Sequence, residues 1–263
     1  MSIASFIPSV WERELITEFR GVAVANLITT APTRVEGGKA IFNKVSGGTI
    51  KDYTGTVTYD TATTTPIEVV YDKKKYFAIS LDDVDATQAA APLLNQVANE
   101  KALDLKEVVD KDVFAKAIAK APSSNKITTD TEYPVSIYNG VVDLGVKLSK
   151  KKVPTSNRFV LASSELIQEM AKDERFTRNY SILENGIVQG ATINGMQIIQ
   201  SEDVPADTII ALHKSALGLG IELDEVEALR LESSFSDAIR GLMVYGLEAL
   251  RPDAIAVATV TRA

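Results

Sequence analysis

The sequence predicts an α+β fold carrying extended appendages, and three observations predict it. A helix-forming stretch of about 30 residues runs from Pro92 to Ala121. Glycine-punctuated, β-branched runs precede it over 34–75 and return over 227–260, where Glu227–Phe235, Asp237–Gly241, Val244–Pro252 and Ala254–Val260 read as strand-like pieces. Between them, residues 134–224 alternate helical and extended patterns.

Residues 1–33 read as an arm with one short helix. Ser9 and Glu12 fit a capping box, Trp11, Leu15 and Phe19 form an apolar stripe at helical spacing, and Gly21 ends the helix. That stripe packs either on its own domain or along a neighbouring subunit. Residues 34–75 hold paired glycines (Gly37-Gly38, Gly47-Gly48) and strand-like pieces such as Lys39–Phe42 and Thr54–Tyr59, but few large apolar side chains. A two-stranded ribbon is marginal alone in water, so this one needs a second surface. Gly47, Gly48, Lys51, Asp52 and Tyr53, with Trp11 and Phe19, are therefore the candidate intersubunit contacts.

Ile67–Tyr71 and Tyr76–Leu81 are expected to pair with each other across Asp72-Lys-Lys-Lys75 as a solvated turn. Asp82, Asp83 and Asp85 lead into the long helix, where acidic charge suits an N-terminus better than it suits a calcium loop lacking the twelve-position pattern. On that helix Leu94, Val97, Ala98, Ala102, Leu105, Val108 and Val109 share one face, whereas Asp110 falls on the charged arc with Glu100, Asp104, Lys106, Glu107 and Lys111. Glu107 with Lys111 and Asp112 with Lys116 have the favourable order for i,i+4 pairs. At 1.5 Å per residue the helix is about 45 Å long, a strut rather than a packing element of one small domain.

In the alternating part, Ile137, Val141, Leu144 and Leu148 mark a helix with Lys150-Lys-Lys152 at its C-terminus. Arg158–Leu161 is a strand, Ser163 or Ser164 caps a helix through Met170, and Ile193–Ile199 and Thr208–His213 are extended.

Little here supports chemistry. The chain of 263 residues has no cysteine, one histidine (His213) and a net charge of −7. That removes thiolate and multi-histidine metal sites and argues against a dedicated, strongly basic DNA-binding protein. No Gly-x-Ser-x-Gly elbow, phosphate loop or dinucleotide fingerprint occurs. No cofactor and no metal are expected, and no apolar run is long enough for a helical membrane span.

The order of a closing strand, Phe235 and Asp237, Tyr245-Gly246, Arg251-Pro252 and a final Ala/Val strand resembles the end of tailed-bacteriophage major capsid proteins. Phe6–Trp11, Arg158–Ser164, Arg175-Phe176, Gly190–Met196 and Ser201–Pro205 are also similar to stretches of that HK-ninety-seven-like family. The resemblance implies an N-terminal arm over 1–33, an extended loop over 34–75, a peripheral domain with its spine helix over 76–133, an axial domain over 134–225 and a return to the peripheral domain over 226–263. It further implies assembly of this chain with itself, as pentamers and hexamers, into an icosahedral shell around double-stranded DNA held without sequence specificity. The location it implies is the virion, assembled in the cytoplasm of a bacterial host. Some members carry the scaffold as an N-terminal extension; because the capsid-like pattern here starts almost at Met1, either such an extension was cleaved or a separate scaffolding protein acts, and the separate protein is the favoured expectation, with a portal as a further partner. Some members crosslink a loop lysine to an asparagine; Lys51 lies in the loop, but neither a partner asparagine nor a promoting glutamate can be placed, so the crosslink is not predicted. The rivals are an encapsulin-type nanocompartment shell, disfavoured by the phage-like N-terminus, and a monomeric α+β enzyme or ligand-binding protein, which leaves the ribbon and the strut unexplained.

Overall fold

The computed structural model describes residues 23–46, 50–53, 55, 57, 59–61, 63–82, 92–130, 134–173, 176, 181–182, 187–230 and 236–261. Its helices are α1 (Val24–Ile28), α2 (Pro92–Lys120), α3 (Pro134–Lys150) and α4 (Ser164–Ala171). Its strands run β1 (Arg34–Glu36), β2 (Lys39–Ser46), β3 (Thr63–Val70), β4 (Lys73–Asp82), β5 (Lys126–Asp130), β6 (Arg158–Ala162) and β7 (Ser181–Ile182). They continue with β8 (Ile187–Ile193), β9 (Met196–Gln200), β10 (Thr208–His213), β11 (Leu217–Arg230), β12 (Ser236–Ala249) and β13 (Ile255–Thr261).

Three sheets result: a ribbon β1-β2-β3, a long sheet β11-β12-β4, and a seven-stranded sheet ordered β5-β13-β10-β6-β9-β8-β7. The seven-stranded sheet holds the main core. All five residues of β6 are buried, as are the four central residues of β10, which is why both read as continuous apolar runs. Ile137, Val141, Leu144 and Leu148 of α3 pack into the same core, as do Val109, Val113, Phe114 and Ala117 of α2. Ile193 pairs with Met196 across Asn194-Gly195, whose φ values of 50° and 74° fit the two-residue hairpin turn that asparagine–glycine favours. This sheet draws strands from the stretches 76–133, 134–225 and 226–263 alike.

Arg158 is buried, and among the described residues no carboxylate pairs with it. Its guanidinium donates to the carbonyl oxygens of Pro154 (2.7 Å), Val153 (2.6 Å) and Gly145 (3.3 Å) and to Ser149 Oγ (3.1 Å). These acceptors lie in and just beyond the last turns of α3, where unpaired carbonyls and the helix dipole favour a cation.

Several expectations need correction. β3 and β4 do not pair with each other: the chain changes sheet at Asp72, β3 joining β2 and β4 joining β12. The triple lysine is no turn, because Lys73, Lys74 and Lys75 stand inside β4 opposite Tyr245, Val244 and Met243. Of Thr54–Tyr59, the described positions 55, 57 and 59 are not in a strand; the threonine run from Thr63, with Pro66, is. Ser163 precedes α4 without a side-chain cap, and Glu202 Oε1 accepts from the Ser164 N–H instead, at 3.0 Å.

The ribbon sits on the long sheet through a glycine seat. Gly220 and Gly246 are direct cross-strand partners on β11 and β12. A Cβ on Gly246 would lie 2.4 Å from the Val70 carbonyl oxygen, and one on Gly220 would lie 2.6 Å from Ala40 Cβ. The absent side chains let the ring of Tyr71 and the strand ends of the ribbon lie flat on the sheet. Gly246→Ala is expected to lower subunit stability by about 1–3 kcal/mol, as overpacking does. Urea unfolding of the purified subunit checks this, and an unchanged midpoint would show that the seat has slack.

Candidate assembly surfaces

The ribbon has two ends of different character. At its base Ala40, Phe42, Val69 and Tyr71 bury themselves with Val244 of β12 in a small apolar cluster separate from the main core. Eight consecutive pairs, Lys39↔Val70 to Ser46↔Thr63, carry it outward. Beyond them the chain exposes its large side chains: Ile50 at 103%, Tyr53 at 77%, Val57 at 59% and Tyr59 at 92%. Lys51 Nζ and Asp60 Oδ1, 2.5 Å apart, tie the two sides of this tip together.

Of the sequence-predicted contacts, Lys51, Asp52 and Tyr53 lie together on the exposed tip. Gly47, Gly48, Trp11 and Phe19 fall outside the described residues. Ile50, Val57 and Tyr59 escaped the sequence reading, although a search for large apolar residues in a glycine- and threonine-rich stretch would have found them.

The strut α2 is fastened to its surroundings by three polar joints. In the first, Asp110 is fully buried rather than on a solvated arc. Its Oδ1 accepts from the Ala25 N–H at 2.8 Å and its Oδ2 from the Val24 N–H at 3.3 Å, so it caps α1, the short helix at the end of the arm. Lys106 Nζ lies 3.5 Å from the same carboxyl and 3.3 Å from Asp203. Burial pushes the Asp110 carboxyl up to about 6, and Asp203 adds to that, while the two N–H groups and Lys106 pull the other way.

In the second joint, Asp112 does not pair with Lys116. It accepts from the Tyr245 hydroxyl of β12 and meets Lys73 Nζ of β4 at 2.8 Å, with that ammonium 5.8 Å from the centre of the Tyr245 ring. Burial opposes ionisation of Asp112, but Lys73 and Tyr245 outweigh it and hold the carboxyl below its usual range. Tyr245 is raised well above an ordinary phenol, first by burial and then by Asp112. In the third, Glu248 of β12 receives Lys116 at 2.9 Å and Lys120 at 3.3 Å. The expected Glu107–Lys111 pair is present on the exposed side.

Where the ribbon base meets the turn after β12, a cleft of about 630 Å³ opens. Phe42, Ile67 and Leu250 are among its apolar lining residues, and Lys44, Arg251 and Asp253 among its charged ones. Nothing about it resembles a reaction centre. Among the described residues no group of three or more His, Asp or Glu side chains could hold a metal ion, and no helix is long and apolar enough to cross a membrane. His213 serves a local turn, its Nδ1 accepting from the Ser215 N–H at 3.1 Å; burial, then Arg251 and Arg158, lower its affinity for a proton.

A model of the family described as phage capsid protein matches residues 63–258, most of the chain. The chain belongs to that family. It is a phage major capsid protein, a structural subunit of a virion shell. No curated protein matches it by sequence. Among solved structures, a chain of Mycobacterium phage Che8 is 22% identical with a TM-score of 0.61, each chain covered over 85% of its length. The capsid of cyanophage P-SCSP1u gives 16% identity and a TM-score of 0.65, covering 90% of this chain and 87% of that one. The SrpI encapsulin of Synechococcus elongatus gives 13% and 0.61, covering 88% and 85%. At such identities the likeness concerns the fold, which is the HK-ninety-seven-like fold predicted from the sequence.

The joint at Asp110 makes the capsid subunit's stability depend on pH in a definite direction. The folded carboxyl keeps its proton to about 6, higher than an unfolded aspartate does, so its contribution is complete below about pH 4 and is lost as pH rises through about 6. Asp110→Asn cannot ionise. Between pH 4 and 7 the native subunit is expected to lose on the order of 2–3 kcal/mol relative to this variant. Urea unfolding of both proteins across that range tests it, and parallel pH curves would refute it.

Proposed function

We propose that this capsid protein assembles as pentamers and hexamers into an icosahedral shell enclosing the double-stranded DNA of a tailed phage, and that residues 34–75 and the arm 1–33 clasp sister subunits. The observation that carries the reading is the ribbon tip: four large apolar residues stand in water at the end of a ribbon whose base alone is packed. Exposed apolar surface of this kind marks an interaction site, and a second copy of the chain is the partner a shell subunit meets most often. The stretches 76–133 and 226–263 act as a peripheral unit around the strut α2, and 134–225 act as an axial unit at the capsomer centre.

The proposed partners are the chain itself, a separate scaffolding protein and a portal, with assembly in the bacterial cytoplasm. A net charge of −7 fits a wall that tolerates packaged DNA without reading its sequence. The protein works by geometry, with no catalytic step. The likeness to an encapsulin supports one rival, a nanocompartment retaining protein cargo; nuclease-protected DNA inside purified particles separates the two.

Replacing Ile50, Tyr53 and Tyr59 together by serine is expected to leave the subunit folded and to reduce shell yield by about tenfold or more, as loss of interface anchors does. Circular dichroism and sedimentation, with scaffold present, measure the two quantities. Shells formed at the native yield would show that the ribbon is not the clasp.

A further inference from the structure

We infer that α1 and the turn after β9 compete for α2 through Lys106, so that docking of the turn weakens the strut's hold on α1. The inference concerns the single subunit and stands whether or not residues 1–33 clasp a neighbour.

Three elements meet at this point. From α2 come Lys106 and the fully buried Asp110, one helical turn apart. From α1 come the Val24 and Ala25 N–H groups, which donate to the two oxygens of that carboxyl. From the turn 201–205 comes Asp203, whose carboxyl lies 3.3 Å from Lys106 Nζ, while the same ammonium lies 3.5 Å from Asp110. The turn has anchors of its own. Ser201 and Val204 are buried, the Ser201 N–H donates to the Ala162 carbonyl at 3.1 Å, and the Ser201 hydroxyl accepts from the Asp203 N–H at 3.3 Å. Asp203 is thus held beside Lys106 by the backbone, and the ion pair is not what brings it there. Lys111 also faces Asp203, but it is tied to Glu107 on the exposed side.

Two carboxyls therefore share one ammonium. A carboxylate taken wholly out of water needs full compensation, and two N–H groups with half a lysine leave Asp110 short of it. If α1 peels away, Asp110 meets water and the deficit disappears. Asp203 acts against the seated state of α1 in two ways: it draws Lys106 off, and its like charge opposes ionisation of Asp110. An Asp110 that keeps its proton needs no ammonium, so the competition operates only above about 6, where this carboxyl ionises. Linkage makes the effect reciprocal, so α1 seated on a charged Asp110 opposes docking of the turn.

The test is amide-resolved hydrogen exchange on the full-length subunit, corrected for intrinsic rate and read at Val24 and Ala25. At about pH 7.5, Asp203→Asn should slow exchange at both amides by about fivefold or more, because Lys106 then serves Asp110 alone. At about pH 4.5, with Asp110 protonated, the same variant should match the native subunit within about twofold. Lys106→Met should speed exchange at the higher pH, and adding Asp203→Asn to it should change the rate by less than about twofold. A packing role for Asp203 predicts the opposite sign, faster exchange at both pH values. Exchange that is unchanged or faster in Asp203→Asn at the higher pH overturns the inference. So does a slowing that persists at the lower pH or in the Lys106→Met background. Asp203→Ser, which also removes the charge, gives the same comparison if Asp203→Asn does not fold.

Discussion

The approach of the ribbon base to paired glycines on the long sheet is the contact on which the rest of this subunit depends. A ribbon of eight paired positions cannot hold its own shape in water. Gly220 and Gly246 remove the side chains that would keep it off the sheet, so Phe42, Val69 and Tyr71 reach Val244 and close a small core there. Only with the base fixed does the tip become a projection with a direction. The same seating opens the cleft beside it, since Phe42 and Ile67 contribute both to the packed base and to the lining of the recess.

The strut shows a different division of labour. One face of α2 is apolar and shares the main core, which contributes most of its stability through burial. Its other attachments are ionic or hydrogen-bonded: Asp110 to the arm, Asp112 to Tyr245 and Lys73, and Glu248 to two lysines. Polar joints of this sort add little net stability but fix one geometry, because a half-broken buried pair costs more than a shifted apolar contact. The arm's attachment at Asp110 is the most conditional of them. Its carboxyl titrates within the range that cells and vesicles span, whereas the joint at Asp112 is held ionised by its partners.

How far the sequence disclosed this depended on how local the controlling physics was. The strut, β6, β10 and α3 were legible because burial imprints its own periodicity on a continuous stretch. Partnership was not. Ile67–Tyr71 and Tyr76–Leu81 look like a hairpin, yet each has a better surface elsewhere, and nothing within the pair records that β12 exists. Asp110 sits among Lys106, Glu107 and Lys111 in a pattern that reads as solvated. What buries it are two backbone N–H groups lying 85 and 86 residues away along the chain. The glycine seat has the same character, since Gly220 and Gly246 acquire meaning only from a cross-strand register. The tip was partly legible: composition located it near Lys51–Tyr53, but the glycines drew attention from Ile50 and Tyr59, which carry more of its apolar surface.

The absence of recognisable chemistry in the sequence and the abundance of charged groups in the structure have one explanation. In an enzyme, perturbed carboxyls converge on a cavity where a substrate can reach them. In this subunit Asp110 and Asp112 of α2 and Glu248 of β12 instead make separate contacts along the helix: Asp110 with α1, Asp112 with β4 and β12, and Glu248 with Lys116 and Lys120 of α2. Such a distribution has no common point for a reaction, and it has an obvious mechanical use. It holds α1 and the long sheet at set positions on α2. Large apolar groups stand exposed elsewhere, at Ile50, Tyr53, Val57 and Tyr59 of the ribbon tip, away from all three of these joints.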